Sequence, residues 1–214
     1  MSILVVILKQ DTKECDPNIS DLTAIFNDPF YKLEIMEDYR EALKFAEKKY
    51  TDKPCLIIRD NSIIMHDIQP HLQKVLTLDA NLHFLCSWGD LCHQYTNAIK
   101  GVKWTNDSYA SQAVLYMPEC RKSIIKELKK QDIETVLKKQ VKETKATVFI
   151  PNIVHFDINL AKCNEDYLKL NGWLPIVKDN EEICNNQMIW IIVFIIAIIL
   201  LSILIPYYKK YKTI

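Results

Sequence analysis

The sequence predicts an α/β fold built on a mostly parallel sheet, followed by one C-terminal transmembrane helix. Three observations carry that prediction. Short runs of Val, Ile and Leu recur through the first 150 residues, each closed by polar or turn-forming residues. Stretches of helical period alternate with those runs, and strand, helix, strand at this cadence is how parallel sheets are connected. Finally, residues 188–208 carry no charge at all.

Residues 3–8 are continuously apolar and end at Lys9-Gln10-Asp11-Thr12, which suits a central strand covered on both faces. With no basic stretch before it and no small-residue cleavage site after it, this run reads as a strand rather than a signal peptide. A short helix is expected from Ser20, where Leu22, Ile25 and Phe26 share a face. Tyr31 to Met36 alternates as a second strand. Asp38 with Glu41 three residues on resembles a capping box, opening a helix whose apolar face is Tyr39, Ala42, Leu43, Ala46 and Tyr50. Pro54 breaks that helix, and Cys55 to Ile58 is a third strand running into Arg59-Asp60-Asn61-Ser62. A helix over 67–78, a strand over 82–86 and a short helix over 88–95 follow. Residues 112–117 form another strand, with Pro118 at the first position of a helix carrying Ile124, Ile125 and Leu128. A further helix from Asp132 presents Ile133, Val136, Leu137 and Val141, and 146–150 is a last short strand. Residues 152–187 read as irregular and polar.

The 21 residues from Met188 to Tyr208 match the roughly 30 Å hydrocarbon core at 1.5 Å rise per residue. Fourteen of them are Ile, Leu, Val or Phe, each worth about −0.3 to −0.6 kcal/mol near a bilayer centre. Lipid offers the backbone no partners, so a lone span must be helical despite its Ile-rich, strand-favouring composition. Ile189, Trp190, Phe194, Leu200, Tyr207 and Tyr208 are the predicted anchor residues, with the aromatic ones at the two ends as an interfacial belt. The predicted organisation is a domain over 1–170, a juxtamembrane linker over 171–187, the span over 188–208 and a basic tail over 209–214.

Composition removes several functions. The chain is neutral overall, but Lys209, Lys210 and Lys212 follow the span, leaving the preceding part at net −3. That balance argues against nucleic acid as a partner. Only three glycines occur, at 89, 101 and 172, so neither a Walker loop nor a Gly-x-Gly-x-x-Gly fingerprint exists, and a Gly-x-Ser-x-Gly elbow is also lacking. The seven cysteines (15, 55, 86, 92, 120, 163, 184) show no repeated spacing. Cys55, Cys86 and Cys120 lie in or beside apolar runs, as buried reduced thiols do. Cys86, Cys92 and His93 lack an evident fourth zinc ligand, and a pairing such as Cys163–Cys184 requires a lumenal domain.

In an open α/β sheet, ligands bind beyond the carboxyl ends of the strands. Arg59-Asp60-Asn61-Ser62 stands at such an end. Asp60 there could hold a divalent cation against a diphosphate with Asn61 as a neutral oxygen ligand, whereas the plainer alternative is ordinary Asp-Asn turn chemistry. Asp157, beside His155, is a second catalytic candidate, as a His–Asp pair able to move protons. Trp88-Gly89-Asp90 and Asn106-Asp107-Ser108 are further polar clusters, and Asn18 and Asn106 are sequons that matter only in a secretory lumen.

The stretches Pro54-Cys55-Leu56-Ile57-Ile58-Arg59-Asp60-Asn61-Ser62-Ile63-Ile64, Leu82 to Cys86, Ser111 to Pro118 and Ile150 to Asp157 together resemble glycosyltransferase family 25 over roughly residues 2–170. That family includes lipopolysaccharide-modifying and procollagen galactosyltransferase-like domains, with shortened relatives in large DNA viruses. The resemblance implies a GT-A/Rossmann-like fold, a nucleotide-sugar donor, Mn²⁺ and hexose transfer to a hydroxyl. The family's Glu-Asp-Asp metal motif falls on Arg59-Asp60-Asn61. Asp60 is then the metal and catalytic position, and Arg59 and Asn61 are donor-binding. Two of three carboxylates are missing, and the cation's charge is not offset, although an Arg can bind a diphosphate directly.

Two functions follow. One is a membrane-anchored glycosyltransferase-like protein of viral origin with weak or no activity. The other is a non-enzymatic single-pass viral membrane protein that uses the fold to bind a protein partner. The lipid bilayer is a predicted partner of both, at the endoplasmic reticulum or a virion membrane. The missing signal peptide and the unpaired cysteines place the domain in the cytosol. The three terminal lysines favour the reverse orientation, in which Lys210 and Lys212 resemble a dilysine retrieval signal.

Overall fold

In the computed structural model, described here for residues 2–9, 19–64, 67–86, 96–106, 110–149, 152–156 and 194–196, strand β1 (Ile3–Leu8) is buried at every position. Its six side chains alternate between two cores. Leu4, Val6 and Leu8 enter one, and Ile3, Val5 and Ile7 enter the other. A side chain so buried contributes about 1.5–3 kcal/mol against exposure, which is why this run can only be a central strand.

Helix α1 (Ile19–Ile25) leads to β2 (Tyr31–Met36), and helix α2 (Tyr39–Lys49) leads to β3 (Cys55–Arg59). The short strand β4 (Ser62–Ile64) precedes α3 (Ile68–Val75) and β5 (Leu82–Phe84). A hairpin of β6 (Thr96–Ile99) and β7 (Val102–Thr105) follows, then β8 (Ala113–Tyr116), α4 (Pro118–Glu127), α5 (Ile133–Glu143), β9 (Ala146–Phe149) and β10 (Val154–Phe156). Eight strands form one sheet in the order β2-β1-β3-β8-β5-β9-β7-β6, while β4 and β10 make a separate antiparallel pair. β1 is parallel to β2 and β3, and β5 is parallel to β9; β8 and β7 run antiparallel to their neighbours. Six of the eight strands therefore share one direction, with β7 and β8 reversed.

Helices cover both faces. Ala42, Leu43 and Ala46 of α2, Cys120 and Ile124 of α4, and Val136, Leu137 and Val141 of α5 pack on one side. Leu22 of α1 and Ile68, Leu72 and Val75 of α3 pack on the other. The caps follow from sequence: Asp38 accepts from Glu41 N at 2.7 Å and Asp132 from Thr135 N at 2.9 Å, each satisfying an otherwise orphaned donor. Arg121 of α4 is wholly buried. Its guanidinium donates to the carbonyls of Tyr50, Thr51 and Lys53 and pairs with Glu47 at 3.4 Å, holding the end of α2 and the turn into β3.

The structure differs from the sequence reading at three places. Ser62–Ile64, where the sequence reading placed no strand, forms β4. The polar stretch around Gly101 forms the β6–β7 hairpin, with Gly101 at φ 79° in a backbone conformation that favours glycine. Residues 154–156, read as irregular, form β10 by pairing with β4. The short helix expected over 88–95 lies outside the described residues.

Described residues other than Phe194–Ile196 belong to one compact unit, and those three belong to a second. They are helical and exposed, Phe194 by 68%. Ile189, Trp190, Leu200, Tyr207 and Tyr208 lie outside the described residues, and among the described residues no helix is long and apolar enough to cross a membrane.

Candidate functional site

Helix α1 connects β1 to β2 across one face of the sheet, and α2 connects β2 to β3 across the other, so that β2 and β3 lie on opposite sides of β1. The carboxyl ends of β1 and β3 are thus the switch point of the sheet, where open α/β folds take ligands. Exposed Lys9 lies just past β1. At the end of β3, Asp60 N donates to Leu8 O at 3.0 Å and Arg59 N to Gln112 O at 2.9 Å, so this corner is tied to both flanking strands. The sequence expectation that Arg59-Asp60-Asn61 stands at a strand's carboxyl end describes this geometry.

The side chains are turned inward. Asp60 is 3% and Asn61 7% exposed. Gln112, at the entry to β8, donates from its Nε2 to Asn61 Oδ1 at 2.6 Å and to Ser62 Oγ at 2.7 Å. Arg59 donates from Nη2 to Ser111 Oγ at 2.6 Å, and Ser111 donates from both its hydroxyl and its amide to Glu134 Oε1 at the start of α5. Arg59 Nε and Glu134 Oε2 are buried without a hydrogen-bond partner among the described residues. Nearby, the hydroxyls of Tyr39 and Tyr116 lie 2.6 Å apart. Burial raises the Tyr39 hydroxyl well above the usual phenol range, although the Tyr116 hydrogen bond and the Arg59 charge pull the other way. Both phenols are therefore neutral hydrogen-bonding groups here.

This donor set does not suit a divalent cation bound to a diphosphate. Asp60 is the one carboxylate of the three motif positions, Arg59 beside it is a cation, and Asn61 Oδ1 already accepts from Gln112. Glu134 holds Ser111 through Oε1, and its other oxygen adds a single carboxylate donor, on α5. Among the described residues, no three His, Cys, Asp or Glu side chains converge as metal ligands would.

Other expected positions fall elsewhere. Asp157 lies outside the described residues, as do Cys92, His93, Trp88, Gly89 and Asp90. Asn106 is exposed at the end of β7. Cys55, Cys86 and Cys120 are buried, and burial pushes the thiols of Cys55 and Cys120 up to about 12, leaving them unreactive. Gln112, Ser111 and Glu134 were not singled out from the sequence. Nothing local marks them, because their role comes from the register of β8 against β3.

No family model matches the chain, and no curated protein sequence does. Among solved structures, it is similar to a Bacillus anthracis protein described as a glucose-1-phosphate thymidylyltransferase in complex with sucrose (11% identity, 80% of this chain, 94% of that chain, TM-score 0.47). UDP-glucose pyrophosphorylase complexed with UDP-glucose shows 10% identity over 79% of this chain and 100% of that one, with TM-score 0.46. A197 from STIV shows 9% identity over 70% and 82%, with TM-score 0.44. Likeness at this level assigns no activity to this chain.

Proposed function

We propose that the chain is a glycosyltransferase-like protein of the divergent kind found in large DNA viruses, held to a membrane by residues 188–208, in which the donor site has been absorbed into the framework and sugar transfer has been lost. The observation that supports it most is the hydrogen bond from Gln112 to Asn61 Oδ1 beside buried Asp60. It uses internally the oxygen that a metal–diphosphate complex would need. The test is turnover of UDP- and GDP-sugars by the full chain with Mn²⁺, followed by release of nucleotide. The expected result is release no faster than without protein, and multiple turnovers would refute the proposal.

A second reading keeps donor binding without a metal, with Arg59 taking the diphosphate. It is favoured by Arg59 Nε, a donor without a partner at the switch point. Nucleotide binding that is insensitive to chelators and abolished by Arg59→Met would establish it in place of the first.

The anchor rests on the uncharged run from Met188 to Tyr208. Alkaline carbonate should leave the full chain in the membrane pellet and release a chain truncated before Met188. With the domain cytosolic, as proposed, protease added to intact membranes digests it, and a glycan on Asn18 or Asn106 would place it in the lumen instead.

A further inference from the structure

The sheet has an open edge whose side chains complement themselves. β2 pairs only with β1 among the described residues. Ile3 N donates to Phe30 O and Lys9 N to Met36 O, both at the inner side of β2. Alternation along a parallel strand then aims the amide and carbonyl of Lys32 and Glu34 at β1 as well, and those of Leu33 and Ile35 outward. Unpaired edges of this kind recruit another strand unless something blocks them. Ile35 is 49% exposed on this edge. A lone edge lysine would be read as a guard against pairing, but Lys32 here has Glu34 two residues on, along the same face, and among the described residues neither forms a salt bridge.

We propose that β2 is a homodimer edge, pairing antiparallel with β2 of a second copy about a two-fold axis through Leu33. In that register Leu33 faces Leu33, Lys32 of each copy faces Glu34 of the other, and Tyr31 faces Ile35. Just beyond the strand, Phe30 faces Met36. Residues directly opposite must share a face of the sheet, so the neighbouring symmetric registers are centred on Lys32 or Glu34, and each of these brings like charges together. In all three registers outward-pointing backbone groups meet outward-pointing ones, so the backbone does not discriminate among them. Cross-strand pairs of opposite charge stabilise a sheet and like pairs destabilise it, so the charges select one register. Two eight-stranded sheets then become one continuous sheet, with no edge left at β2.

The experiment is sedimentation equilibrium of the full chain in density-matched detergent, across the micromolar range. The parent chain should dimerise. Lys32→Glu and Glu34→Lys each convert two attractive contacts into repulsive ones and should weaken the dimer about tenfold or more. The double exchange, Lys32→Glu with Glu34→Lys, should restore dimerisation close to that of the parent. A monomeric parent overturns the proposal, as do single variants that dimerise normally or a double exchange no better than the singles. Hydrogen exchange on the unaltered chain gives a second measurement, free of any folding defect in the variants. The Leu33 and Ile35 amides should gain protection as concentration rises, and concentration-independent exchange would also overturn it.

Discussion

His83 shows how one side chain makes the fold sensitive to acid. It lies on β5 opposite Leu115 of β8 and Thr147 of β9, wholly buried, with Nδ1 2.7 Å from Thr147 Oγ1 and no hydrogen-bond partner for Nε2 among the described residues. Burial penalises the charged ring and lowers its pKa to about 4. The unfolded chain takes up the proton near the ordinary value, about 6.5. Stability from the neutral ring is therefore complete above that value and is lost as pH falls toward 4, where the folded ring at last protonates. Urea denaturation at about pH 5 should show about 2 kcal/mol less stability than at about pH 7.5 from this residue alone. His83→Leu should remove most of that difference, and an unchanged slope would show that other groups cause it. At this scale the candidate site was half legible in sequence. Asp60 and Asn61 announce themselves by following an apolar strand. Gln112, which closes over them, is 51 residues away from Asn61 and has no local signature.

Among the elements, the helix-to-strand connection at α2 and β3 depends on an arginine from α4. Three carbonyls in the turn after α2 accept from Arg121, and Glu47 balances its charge. Arg121→Ala would leave those acceptors and a carboxylate without their buried partner, a loss on the order of 3–5 kcal/mol. Arg121→Lys should recover little, because an ammonium cannot reproduce the planar fork. Thermal or urea unfolding of both variants checks this, and a loss below about 1 kcal/mol would show that water replaces the guanidinium. The elements that sequence located share one property, an apolar face set by a single period. β1, β3 and β8 are unbroken apolar runs because helices or strands cover them on all sides. β6 and β7 are half-exposed and interleave Thr, Asn and Lys, so their period is blurred. β4 and β10 are three residues each and exist because they pair with one another, information that no local window contains.

For the whole molecule, the two cores and the reversed strand β8 decide what the switch point can do. β8 runs antiparallel beside β3, so the residues that lead into it, Ser111 and Gln112, arrive at the carboxyl end of β3 rather than at its start. They bring with them the hydrogen bonds that fasten Arg59, Asn61 and Ser62. The parallel cadence was readable from alternating strands and helices. The reversal of β8 was not, since an apolar strand reads the same in either direction. The most direct test of this account is calorimetric titration of the full chain with UDP-glucose, with and without Mn²⁺. A corner already filled by its own side chains predicts no heat of binding in either condition. Saturable binding that requires Mn²⁺ and is lost in Asp60→Asn would contradict it.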